Sequence, residues 1–102
     1  GIPTRDIIID TLTLTVSSQQ KEALETCRAI SLLKDEFGKD GLKFILGVSN
    51  ISFGLPRRDI INSRFFAMAL FSGLDACIIN PLSQPMMETY CGYRALANFD
   101  EN

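Results

Sequence analysis

The sequence predicts an α/β fold made of three consecutive βα units with parallel strands. Three observations carry that expectation. Short apolar runs alternate with longer stretches of helical periodicity. The short runs are nearly continuous in apolar residues, as in parallel strands buried on both faces. Turn and cap residues stand at the junctions between them.

The first unit covers about 6–37. Asp6-Ile7-Ile8-Ile9-Asp10 reads as a strand, with Leu12 and Leu14 prolonging it. Ser17-Ser18-Gln19-Gln20 offers N-cap residues. A helix follows from Lys21 to Phe37, with Ala23, Cys27, Ile30 and Leu33 at helical spacing, and Gly38 suits its C′ position. The second unit covers about 42–72. Leu42, Phe44, Ile45, Leu46 and Val48 form its strand, which runs into Gly47-Val48-Ser49-Asn50. The loop Ile51-Ser52-Phe53-Gly54-Leu55-Pro56 leads to a helix over Ile60–Ser72, capped by Asp59 and ended by Gly73. Ile61, Phe65, Met68 and Ala69 share one face of it. The third unit covers about 76–97, with a strand Ala76–Asn80, a stop at Pro81 and a helix from Pro85 to Ala97. No linker or low-complexity segment interrupts the chain, so 1–102 reads as one partial domain.

Composition excludes several function classes. The 102 residues are 22% charged and 46% hydrophobic, which is ordinary for a globular chain. The net charge is −2 and the basic residues are scattered, so no stripe exists for a nucleic-acid backbone. No apolar run approaches the roughly 18 residues of a membrane span, and the N-terminus is not a signal peptide. A cytoplasmic location is expected. The first residue is not Met, which predicts an internal boundary of a longer protein. The three cysteines, Cys27, Cys77 and Cys91, fit no zinc or redox spacing and are expected to be buried, reduced thiols. With no histidine, Ser-His-Asp and Cys-His catalysis are excluded within the chain, and no metal site is predicted.

Three βα units are a poor independent domain. Both outer strands are edges, and one sheet face lacks cover. A complete barrel of this kind takes about 250 residues. The remaining units are therefore expected either outside this chain or from another copy through self-association.

In a (β/α) barrel the active site lies at the C-terminal ends of the strands. Asp10, Asn50 and Asn80 each close an apolar run at that end. Asp and Asn also cap turns routinely, but three of three strand ends favours a common site.

Three segments carry a family resemblance. They are Ile7-Ile8-Ile9-Asp10-Thr11-Leu12, Leu46-Gly47-Val48-Ser49-Asn50-Ile51-Ser52-Phe53-Gly54-Leu55-Pro56, and Ile61-Asn62-Ser63-Arg64-Phe65-Phe66-Ala67-Met68-Ala69-Leu70 followed by Gly73-Leu74-Asp75-Ala76-Cys77-Ile78-Ile79-Asn80-Pro81-Leu82. Together they resemble the pterin-binding (β/α)8 barrel of methyltetrahydrofolate:corrinoid methyltransferases, which include cobalamin-dependent methionine synthases. The resemblance covers nearly the whole chain in order. It identifies the three units as the C-terminal part of a TIM (β/α)8 barrel, its last three βα units.

That resemblance implies roles. Asp10 matches an aspartate, ending the sixth barrel strand, that bonds the pterin ring; an ionised carboxylate only accepts, which suits the pterin's N–H donors. Asn50 matches the asparagine near N5, the methyl-bearing nitrogen, and is the catalytic residue implied. An amide can accept from a protonated nitrogen or donate to a neutral one by rotating. Ser49 sits beside it in the pocket. Arg58 either holds the pterin or shapes the loop, or it is simply a solvated cation at the helix start. Arg57 stands where relatives often carry asparagine. Phe53 either stacks on the pterin or packs under the loop, with packing favoured. Asn80 either lines the pocket or turns the chain with Pro81. The implied reaction moves the N5-methyl group of methyltetrahydrofolate to a corrinoid, en route to methionine or one-carbon metabolism. Cobalamin would reside on a partner domain or protein, with no ligand from this chain. Further pterin contacts lie on earlier strands, so this chain alone is expected to be inactive.

Two other readings compete. Dihydropteroate synthases share the barrel, but they end the seventh strand with lysine and the eighth with Arg-x-His, where this chain has Asn50 and Asn80-Pro81. A non-catalytic partial barrel that self-associates is the alternative from a different class.

Overall fold

The computed structural model describes residues 1–97. Its elements are β1 (Ile8–Asp10), α1 (Glu22–Phe37), β2 (Lys43–Gly47), α2 (Arg58–Ser72), β3 (Ala76–Ile78) and α3 (Gln84–Leu96), with 3-10 turns at Thr4–Asp6, Gly38–Asp40 and Val48–Ser52. The strands form one sheet in the order β1-β2-β3. Both pairings are parallel, with Asp10 beside Ile45 and Ile45 beside Ala76. This is an α/β fold consistent with part of a TIM barrel, as the strand-helix alternation requires. No helix among the described residues is long and apolar enough to cross a membrane.

The pleat separates two faces. Phe44 and Leu46 of β2 are fully buried and face the helices. Ile9 and Cys77 of the flanking strands pack against the same core. Ile30 and Cys27 of α1, Phe65, Phe66, Ala69 and Leu70 of α2 and Met86 of α3 belong to it, with Leu42, Val48, Ile51 and Leu74 from the connecting segments. The opposite face carries Ile8, Asp10, Lys43, Ile45, Gly47, Ala76 and Ile78, and Ile8 and Ile78 remain 62% and 67% exposed. The strands are thus covered on one face only.

Several boundaries differ from the expectation, each for a local reason. β1 begins at Ile8 because Asp6 belongs to a 3-10 turn, and it stops at Asp10 because Leu12 takes φ 66°. Leu12 and Leu14 therefore leave the strand. Gly38 stays right-handed at φ −60°, and Gly41 supplies the reversal at φ 90°. A Cβ on Gly41 would lie 2.8 Å from the Arg5 Cβ, so the close approach of the two segments requires glycine. Gly73 ends α2 at φ 119°, with the Leu74 N–H bonded to the Ala69 carbonyl. Asp59 lies in the first turn of α2 and does not cap it by a side-chain bond. The buried face of α2 includes Phe66 and Leu70, while Met68 is 38% exposed.

The cysteines also depart from the expectation of uniform burial. Cys27 is buried, Cys77 is half-buried and Cys91 is exposed. Burial pushes the Cys27 thiol up, partly offset by a hydrogen bond with Ser72, and burial also pushes up the Cys77 thiol. The thiolate is the nucleophile. Brief alkylation of the native protein near neutral pH is therefore expected to modify Cys91 first and Cys27 last. Peptide mass spectrometry over a time course checks the order.

Candidate functional site

The three βα loops emerge at the C-terminal end of the sheet, and the polar residues singled out from the sequence lie there. Asp10 closes β1 on the open face, in register with Ile45. Its Oδ1 accepts the Leu12 N–H at 2.8 Å. That bond fixes the carboxylate, and no described residue bonds to Oδ2. Asn80 repeats the device two residues beyond β3: its Oδ1 accepts the Leu82 N–H at 3.0 Å, and its carbonyl accepts the Ser83 N–H at 3.1 Å. Both side chains thus cap their own turns. For Asp10 this leaves one carboxylate oxygen to offer, and for Asn80 an amide NH2.

Asn50 does not end a strand. It sits in the 3-10 turn Val48–Ser52 that follows β2. Its Nδ2 lies 3.6 Å from where a Cβ on Gly47 would project, and Gly47 belongs to the open face of the sheet. The amide therefore folds back over the end of β2, on the face that carries Asp10. Asn50 is exposed and its amide bonds to no described residue; its carbonyl accepts the Phe53 N–H at 3.3 Å. Asp10 and Asn50 thus stand on one face, at the same end of neighbouring parallel strands.

Arg58, the first residue of α2, reaches back to this turn. Its Nε donates to the Ser52 Oγ and its Nη2 to the Ser49 carbonyl, both at 2.9 Å. The Ser52 Oγ in turn donates to the Ser49 carbonyl at 3.2 Å. Ser52 is fully buried, while Ser49 is exposed and its carbonyl is the group in use. Arg58 therefore shapes the loop. Its guanidinium also stacks over Phe53, 5.1 Å from the ring centroid. Phe53 is 61% exposed, so the expectation that it packs beneath the loop is overturned. The Phe53 ring stands in solvent because its backbone closes the turn and its face meets a cation.

Arg57 takes φ 53°, ψ 50° just before α2. Asparagine tolerates that left-handed region better than arginine does.

Sequence reasoning missed a second set of loop contacts. Thr15 and Ser17, between β1 and α1, both donate to the Phe53 carbonyl, at 2.9 and 3.0 Å. The Val16 N–H bonds the Ile51 carbonyl at 3.0 Å. Ser17 is therefore spent on the neighbouring loop and does not cap α1, which starts without a side-chain cap. A cleft of about 680 Å³, lined by Val16, Ser17, Ser18, Gln20 and Leu55, opens beside these contacts. The Thr-x-Ser spacing was the available signal, but its partner lies 38 residues away from Thr15.

The side chains so placed can accept from N–H donors through Asp10 and can donate or accept through Asn50. Residues 1–80 match the family described as pterin binding enzyme. The methylcorrinoid:tetrahydrofolate methyltransferase of Eubacterium limosum is 41% identical over 54 residues, which are 53% of this chain and 20% of that protein. The methionine synthase of Mycobacterium tuberculosis is 38% identical over 86 residues, which are 78% of this chain and 7% of that enzyme. That of Mycobacterium leprae is 37% identical over a stretch of the same length. The chain thus spans a fifth or less of the length of these relatives.

Proposed function

The chain belongs to the pterin-binding enzyme family, and from that premise we propose that it is part of a methyltransferase moving the N5-methyl group of methyltetrahydrofolate to a corrinoid. The names of the relatives support this reading: one acts on a methylcorrinoid and tetrahydrofolate, and two are methionine synthases. The observation that carries it is the placement of the Asp10 Oδ2, at the end of β1, and the Asn50 amide, in the turn after β2, on one face of the sheet and without protein partners among the described residues.

Asp10 holds the pterin by accepting its N–H groups. Asn50 stands at N5, which takes a proton from solvent before the methyl group can leave and keeps the electron pair of the broken C–N bond as a neutral N–H. The amide accepts from the protonated nitrogen and can rotate to donate to the neutral one. Ser49 and Asn80 line the same mouth. Arg58 contributes through the loop it braces, and its Nη1 remains to reach the pterin. The corrinoid belongs to a separate domain or protein that docks over the mouth and supplies the cobalt nucleophile. No side chain here is assigned to cobalt.

The open sheet face calls for the remaining strands of a barrel, with the present units as its last three. Self-association through the exposed Ile8 and Ile78 is the alternative. It makes the chain a non-catalytic partial barrel, and gel filtration separates a monomer from the expected dimer of that reading.

Isothermal titration tests the function. The intact protein is expected to bind methyltetrahydrofolate and pass the methyl group to reduced cobalamin. The isolated 102-residue chain is expected not to bind in the micromolar range, because the earlier strands hold the rest of the pterin. Micromolar binding by the isolated monomer, or no binding by the intact protein, contradicts the proposal.

A further inference from the structure

Resting on the role of Asn50 proposed above, we infer that Thr15 and Ser17 are positioning residues for it, a paired hydroxyl latch that sets the asparagine turn against the strand bearing Asp10. The turn is held on one side by Arg58, through the Ser49 carbonyl and the Ser52 hydroxyl. The other side faces the loop between β1 and α1. There the Thr15 Oγ1 lies 2.9 Å and the Ser17 Oγ 3.0 Å from the Phe53 carbonyl oxygen, and the two hydroxyl oxygens are 2.9 Å apart. The Val16 N–H adds a bond to the Ile51 carbonyl. Ile51 and Phe53 flank the end of the turn, and the Phe53 N–H bonds the Asn50 carbonyl. The latch therefore acts on the segment that carries Asn50, from the loop that leaves Asp10.

The chemistry of the latch makes it redundant. Each hydroxyl has one proton, so three oxygens in mutual reach share two protons and make two of the three possible bonds at once. Thr15 is further fixed by accepting the Ser17 N–H at 3.3 Å. If either side chain is lost, the other still bonds the Phe53 carbonyl. If both are lost, that carbonyl has no side-chain donor among the described residues. Gly54, the residue after Phe53, takes φ 82°, a left-handed conformation that glycine adopts without strain.

Asp10 is anchored separately, by the Leu12 N–H. Loss of the latch thus displaces Asn50 while Asp10 keeps its hold on the pterin. A displacement of about an ångström at a reacting group can cost as much as ~100-fold in rate. The effect should fall on the methyl-transfer step and spare folate affinity.

The test uses the full-length protein containing this chain, with Thr15→Val, Ser17→Ala, the double variant, Thr15→Ser and Asn50→Ala. Methyltetrahydrofolate affinity is measured by titration, and single-turnover methyl transfer to reduced cobalamin by stopped flow. Each single variant is expected within about threefold of the parent rate, and the double variant at least about tenfold slower, a non-additive loss. Its folate affinity should stay within about threefold, and Thr15→Ser should retain the parent rate. A double variant that transfers at the parent rate while Asn50→Ala is slow overturns the latch and leaves the role of Asn50 standing. A double variant that loses affinity and rate together, with a lowered melting temperature, also overturns it. Parent-like transfer by Asn50→Ala overturns both claims.

Discussion

Replacing Asn50 by alanine is expected to slow methyl transfer by about 10²–10³-fold in the intact protein, the usual cost of removing one preorganised hydrogen-bonding group at a reacting centre. The fold should not register the change. Asn50 is exposed, its amide bonds to no described residue, and its turn is held by the Arg58 bonds and by the loop contacts of Thr15, Val16 and Ser17. Surface substitutions of that kind usually stay within about 0.5 kcal/mol. Asn50→Asp separates the two abilities of the amide, because an ionised carboxylate accepts but cannot donate. It should also be slow, although it can meet a protonated N5. Single-turnover rates with a melting curve for each variant check both points. A normal rate for Asn50→Ala would remove the catalytic assignment.

At the opposite end of the sheet, Asp75→Ala is expected to destabilise the protein by about 3 kcal/mol. Asp75 precedes β3 and ties it to the fully buried Phe44 of the central strand. Its Oδ2 accepts the Phe44 N–H at 2.9 Å, and its own N–H bonds the Phe44 carbonyl at 3.0 Å. Lys34 of α1 donates to both carboxylate oxygens, at 2.8 and 2.9 Å, and lies 5.5 Å from the centroid of the Phe44 ring. One carboxylate thus joins a helix and two strands. A hydrogen bond to a charged group is worth about 1.5–3 kcal/mol, and the partly exposed ion pair adds up to about 1 kcal/mol. Asp75→Asn keeps an acceptor for the Phe44 N–H and weakens the bond to Lys34, so roughly half the loss is expected. Denaturant unfolding of the two variants measures the difference. Methyl transfer by the folded fraction should be unchanged, since Asp75 lies at the N-terminal end of β3, away from the mouth.

These two sites differ in how legible they were. The candidate site was proposed from Asp10, Asn50 and Asn80, polar residues that end apolar runs and that lie at one end of the sheet, and from segments that resemble a known family. The unit order and the parallel pairing follow from the same alternation. Asp75 and Lys34 gave no such signal, because an ion pair between residues 41 apart depends on a packing that local pattern does not encode.

The missed boundaries share one cause: polar side chains that bond main-chain groups and so redirect the backbone. Ser17 leaves α1 uncapped because its hydroxyl serves the Phe53 carbonyl. β1 is short because the Asp10 carboxylate draws the Leu12 N–H into a turn. Asn50 moves from a strand end into a 3-10 turn because Arg58 and Ser52 gather the Ser49 carbonyl. The helical periodicity of α1 held, with Cys27 and Ile30 buried and Ala23 and Leu33 packed against the core. In α2 it favoured Met68 wrongly, because this helix lies between two others and Phe66 and Leu70 take the covered positions.

The most direct test of the account is a crystal structure of the intact protein with methyltetrahydrofolate. The Asp10 carboxylate should accept N–H groups of the pterin ring, and the Asn50 amide should stand within hydrogen-bonding distance of N5. A pterin bound elsewhere, or one touching neither residue, would contradict the account.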